Sequence, residues 1–195
     1  TFTEAAGLGT QAAAVAVFSG ANTSTIESGQ TIKGLTFTVG GLADGASETI
    51  VVDGTTIALG ANSSGTTATN GMAYTVTIVS GTATVALTKT AGVSTSAINT
   101  LINGITYQDT NTDNPTAGSR TFTLTQIQDS GGTANSGADT TTLSVVSTVA
   151  VNAVNDAPTL SATASNPTFT GAAVLGTQAA AVAVFSGANT STIES

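Results

Sequence analysis

The chain contains one segment twice. Thr1–Ser28 and Thr168–Ser195 differ at two positions only, Glu4/Gly171 and Gly7/Val174, and lie 167 residues apart. The chain thus spans one full period and the opening of a second. Self-similarity at a long fixed period marks a tandem array of modules, whose use is reach and surface rather than chemistry. A period of this length can bury a core of its own. The expected layout is a module over 1–158, a linker over 159–167 and the start of the next module over 168–195.

Charged residues make up 7% of the chain against roughly 25% in an average domain, so water must be met by neutral groups. Threonine dominates these, and its branched side chain suits a half-wet pleated surface. Of the three basic residues, Lys33, Lys89 and Arg120, no two are close in sequence, and the net charge is −8. That excludes the clustered cations on which nucleic-acid and anionic-membrane binding depend. An acidic surface suits divalent cations instead. The longest apolar run, Ala12–Phe18, is far short of a membrane span of about 20 residues. Histidine and cysteine are both absent, which removes zinc centres, thiol nucleophiles and every histidine-based triad. No carboxylates pair in sequence as a glycosidase would need. The chain is therefore read as a non-enzyme.

Periodicity predicts many short strands. Gln11–Phe18 is apolar on both faces and is expected as a buried strand. Gly34–Val39 alternates, with Leu35, Phe37 and Val39 on one face. Glu48–Asp53 leads into Asp53-Gly54, a tight-turn signal, with Thr55–Leu59 as its hairpin partner. Gly60–Gly71 is expected as loop. Met72–Val79 and Thr82–Thr88 form a second hairpin about Ser80-Gly81. Ser94–Asn103 predicts a short helix with Ile98, Leu101 and Ile102 on one stripe, Ser94 or Ser96 as cap and Gly104 beyond its end. Ile105–Gln108, Ser119–Gln128 and Thr140–Val154 complete the strands, with a slip in alternation at Gln126/Ile127 that predicts a bulge. Pro158 ends the last strand. The expected fold is all-β: an antiparallel β-sandwich of Greek-key type with one helix near 94–103.

The stretches Ile102–Thr125 and Thr148–Leu160 resemble the tandem cadherin-like and bacterial Ig-like repeats of giant surface adhesins and RTX-type secreted proteins. The likeness lies in Tyr107-Gln108-Asp109, in Pro115 and Arg120, in Asp129-Ser130-Gly131-Gly132 and in the Val154–Pro158 linker. The resemblance implies an extracellular or cell-surface sandwich strung in series, with calcium at the junctions. Asn155 and Asp156 match the linker ligands, and Glu4 stands near the place of a further one. Its counterpart Gly171 cannot ligate, and the paired acidic motifs of true cadherins are not found. Neighbouring copies of the repeat are the expected partners, with a surface or polysaccharide as target.

Two further groups have oxygen-ligand spacing. Asp109, Asn111 and Asp113 alternate as in a calcium loop, but Asn114 and Arg120 stand where an EF-hand needs Gly and Glu. The other reading is a loop of Asx turns with Arg120 folded back on Asp109 or Asp113. Asp129, Asn135 and Asp139 bracket one glycine-rich loop and could serve a hard cation or merely turn the chain. Asp44, Glu48 and Asp53 read as solvated turn and strand-end charges. The expected function is a spacer or fibre element stiffened by calcium. The alternative is a filament subunit whose residues 168–195, with the unpaired apolar run Ala179–Phe185, complement a neighbour by strand addition.

Overall fold

A computed structural model describes residues 1–7 and 9–191; Leu8 and the last four residues of the second copy of the repeat lie outside the described residues. The chain divides into two compact units, Thr1–Val154 and Asn155–Ser195.

The first unit is a β-sandwich. Its larger sheet holds β1 (Phe2–Thr3), β11 (Thr140–Asn152), β10 (Gly118–Asp129), β3 (Ile32–Gly40), β8 (Thr82–Val93), β7 (Ala73–Val79) and β6 (Ser63–Thr66), in that order. The smaller holds β2 (Val15–Ala16), β9 (Thr106–Asp109), β4 (Glu48–Val52) and β5 (Thr55–Ala58). All pairs are antiparallel except β1 with β11, where Phe2 stands beside Val151 in parallel. That placement puts Phe2 in the core. The inward rows follow the alternation: Leu35, Phe37 and Val39 from β3, Ala83, Val85 and Leu87 from β8, and Ile50 and Val52 from β4 are all buried. Burial of these aliphatic and aromatic groups is what drives the two sheets together.

The turns obey local rules. Asp53 and Gly54 both have positive φ, 51° and 77°, as do Ser80 and Gly81, 48° and 73°. Two such residues in succession match the twist of the strands they join. The helix α1 (Thr95–Asn103) connects the sheets, and Ser94 caps it by accepting a bond from Ala97 N at 3.1 Å. Ile98, Leu101 and Ile102 are its buried stripe. Gly104 ends it at φ −89°, still in the right-handed region.

Several elements differ from expectation. The apolar run Gln11–Phe18 forms only two strand residues. Ala13, Ala14 and Ala16 stay exposed, while Val17 and Phe18 turn inward. It pairs with β9 only at Val15 opposite Tyr107 and Ala16 opposite Thr106. The expected loop Gly60–Gly71 contains the exposed edge strand β6. The irregularity in β10 falls between Leu124 and Gln126, before the predicted slip.

The second unit pairs β12 (Thr159–Ala164) with β13 (Phe185–Ser191). Thr159–Ala164, expected as linker, is therefore a strand. The twin segments also differ in environment. Phe2 and Phe18 are 0% and 8% exposed, whereas their counterparts Phe169 and Phe185 are 48% and 66% exposed. The chain carries the sequence of the two covering sheets only once, so the second copy has no second core to enter.

Candidate functional site

Three strands bring a charged residue to an inward position. In β4 the buried face is Glu48, Ile50 and Val52; in β9 it is Tyr107 and Asp109; in β10 it is Arg120, Phe122 and Leu124. Glu48 and Asp109 stand directly opposite each other in the antiparallel register. Like charges in that position repel. Arg120 reaches Glu48 from the other sheet. Its Nε donates to Glu48 Oε1, and its Nη2 donates to Asp44 Oδ2 at 3.2 Å and to the Thr116 carbonyl at 3.0 Å. Arg120 is 1% exposed.

Glu48 has both oxygens engaged. Oε1 also accepts from the Tyr107 hydroxyl at 2.8 Å, and Oε2 accepts from Ala43 N at 2.7 Å and Asp44 N at 3.0 Å. Asp44 is held by Thr116, whose N and Oγ1 donate at 2.8 and 2.6 Å. The Tyr107 ring meets Phe2 and Phe122 edge-on at 6.0 and 5.9 Å, which walls the network with apolar groups. Asp109 Oδ1 accepts from Asn111 N at 2.9 Å, while Oδ2 is buried without a hydrogen-bond partner among the described residues.

These environments separate the acids. Burial, then the neighbouring carboxylates Asp44 and Glu48, push Asp109 up to about 7 despite the bond from Asn111 N. For Asp44 burial works against the charge, but the Thr116 bonds and the contact with Asp109 outweigh it, so the group sits below the ordinary range. Burial and then the Glu48 carboxylate raise the Tyr107 hydroxyl. Burial opposes the charge on Arg120, yet the bond to Glu48 prevails and raises it.

One carboxylate oxygen from each of Asp44, Glu48 and Asp109 lies within 4.8 Å of the others. The arrangement nevertheless fits calcium poorly. A calcium ion wants about six to eight oxygens around it. Here a guanidinium already stands among the carboxylates, and both oxygens of Glu48 and of Asp44 face N–H or O–H donors. The cluster is a buried ion network closed by Arg120.

The remaining sequence candidates are dispersed. Asn111 Oδ1 accepts from Asp113 N at 3.3 Å and Asn114 N at 3.2 Å, and Asp113 Oδ1 accepts from Gly9 N at 3.3 Å. The 109–114 loop is thus a run of Asx turns, and Arg120 pairs with Glu48 and Asp44 rather than with Asp109 or Asp113. Asp129 N donates to the Asp139 carbonyl at 2.8 Å, closing the loop, and Asn135 turns the chain at φ 53°. The hydrogen bond from Gln128 and then that from Thr140 hold the half-buried Asp139 below the ordinary range. Glu4 is buried, and its Oε2 accepts from Val154 N at 2.8 Å. In the second unit, Asn155 Nδ2 donates to the Asp156 carbonyl at 2.9 Å, and the Asp156 side chain is buried.

Glu48, Asp44 and Asp53 are not the solvated charges expected. Asp53 accepts from Thr67 Oγ1 at 2.5 Å and from Asn70 N and Nδ2 at 2.9 and 2.6 Å, which pins the 67–70 turn. A signal for Glu48 was present: the same alternation that turns Ile50 and Val52 inward turns Glu48 inward too.

No protein-family model, curated protein or solved structure matches this chain. No helix among the described residues is long and apolar enough to cross a membrane.

Proposed function

We propose that the chain is a structural repeat, a β-sandwich module of an extracellular tandem array that serves as a spacer or fibre element. The recurrence of Thr1–Ser28 at Thr168–Ser195 carries this reading. The interior supports it as well, because its charged network is closed on itself and walled by aromatic rings. The cadherin-like and Ig-like resemblance points the same way.

A spacer adds length in proportion to its copies. The longest strand, β11, has 13 residues and so extends over about 43 Å. Chains extended by whole 167-residue periods are expected to lengthen by about 40 Å per period in small-angle scattering. A maximum dimension that stays constant as periods are added would refute the spacer role.

In this reading calcium belongs to the Asn155-Asp156 segment rather than to the buried network. Calorimetric titration of calcium into the chain is expected to give a binding heat that Asp156→Ala removes. An unchanged heat in that variant would detach the metal from this segment.

A further inference from the structure

The heptad Phe-Ser-Gly-Ala-Asn-Thr-Ser occurs at Phe18–Ser24 and again at Phe185–Ser191. In the second place it is strand β13, paired with Thr159–Ala164. In the first place it has no strand partner among the described residues. The backbone there is nonetheless set in the same way. β13 carries an extra residue at its register shift, where Gly187 has φ 59°, and Gly20 at the matching position has φ 70°. The amides of Ala21 and Thr23 are held from one side by Asn103 Oδ1 at 2.9 Å and Asn99 Oδ1 at 2.8 Å. In an extended chain the intervening amides point the opposite way. That free side borders an open groove of about 420 Å³ whose apolar lining includes Phe18, Ile102, Leu124, Ile127, Leu143 and Val145.

We infer that Phe18–Ser24 is a docking edge for Thr159–Ala164 of a second copy of this chain. Three observations select that occupant. First, the β12–β13 pair already displays it on the identical heptad, so the register is given: Thr159 opposite Ser24 and Ala164 opposite Phe18. Second, Thr159–Ala164 alternates, with Leu160, Ala162 and Ala164 on one face, which suits an apolar groove between a strand edge and a sheet. Third, the other wall of the groove agrees. Phe2 pairs in parallel with Val151. Continuing that register backward by one period sets Thr159 beside Thr141 and Ala164 beside Val146, and Thr141, Leu143 and Val145 line the groove.

The donor is not the chain's own Thr159–Ala164. Eleven residue steps along β11 separate Thr141 from Asn152, a distance of about 36 Å. Seven peptide steps from Asn152 to Thr159 reach only about 25 Å when fully stretched. The exchange is also favourable. On β13 the donor belongs to a two-stranded sheet with Leu160 70% exposed, and such hairpins are marginal in water. On Phe18–Ser24 the same bonds form against a built core.

The experiment uses the full chain and two variants at exposed positions, Leu160→Asp in the donor and Val145→Asp in the groove. Sedimentation velocity is expected to show the intact chain associating with rising micromolar concentration. Each variant alone should remain monomeric, and an equimolar mixture should restore a one-to-one complex, because each supplies the part the other lacks. Should Val145→Asp lose its circular-dichroism signature, Asn22→Pro takes its place on the acceptor edge. A monomeric intact chain, association that both variants retain, or a mixture that stays monomeric would each overturn the proposal. The inference rests on the repeated heptad and not on the spacer role. A monomer that still lengthens with each added period would overturn it alone.

Discussion

Replacing Arg120 by methionine is expected to destabilise the sandwich by about 3–5 kcal/mol, the loss that follows when one partner of a buried ion pair is removed. Among the described residues the guanidinium is the one cation that reaches Glu48 and Asp44, and the side chains of all three are at most 9% exposed. Without it, Glu48 keeps its bonds from Tyr107, Ala43 and Asp44 but gains an unscreened repulsion from Asp109 across the strand pair. Urea unfolding followed by circular dichroism measures the loss. Exchanging Arg120, Glu48 and Asp44 together for apolar residues of similar volume should recover most of it, because the desolvation cost then vanishes with the charges. A loss below about 1 kcal/mol in the single variant, the size expected of an exposed pair, would show that the network is wet.

The second large effect is on pH. Asp109 binds its proton more tightly in the folded chain, where it titrates at about 7, than at its ordinary value of 3.8. Between those values the folded state holds a proton that the unfolded state releases, so stability falls as pH rises and levels off above about 7. Allowing for relaxation of the surroundings, the loss between pH 5 and pH 8 is expected to be about 2 kcal/mol. Asp44 acts in the opposite direction at lower pH. Its depressed value contributes stability above the ordinary carboxylate range that is lost as pH falls below it. Asp109→Asn should flatten the neutral limb, since the amide needs no proton to lie opposite Glu48. Thermal unfolding across this range is the check, and a slope that persists in Asp109→Asn would assign the proton to another group.

Much of the architecture was legible because strands of a half-buried sheet alternate. Leu35, Phe37 and Val39 declared the inner face of β3, and Asp53-Gly54 and Ser80-Gly81 declared the hairpins. The helix was legible from three aliphatics on one stripe and a serine ahead of them. The ion network was harder, because charge was weighed by residue type before position. Glu48, Asp109 and Arg120 each occupy an inward slot of their own alternation, and three inward charges need one another. Which strand end lies over which depends on sheet topology, and no local pattern in Glu48–Val52 or Gly118–Asp129 encodes it. Val15–Ala16 shows the converse limit. Seven apolar residues in a row looked like a strand, yet only Val15 and Ala16 pair with β9. The strand at Thr159–Ala164 was overlooked because Pro158 and Pro167 flank it, and its pairing with Phe185–Ser191 spans a gap that periodicity does not bridge.

If the molecule is built by repetition, the second copy of the segment must bury its apolar side chains once it is given sheets to enter. Hydrogen exchange on a chain extended beyond Ser195 by the sequence of residues 29–154 tests this directly. Amides around Val182–Phe185 should then slow to the rates of Val15–Phe18, by at least about a hundredfold relative to the 195-residue chain. Exchange at Val182–Phe185 that stays as fast as in the shorter chain would contradict the account.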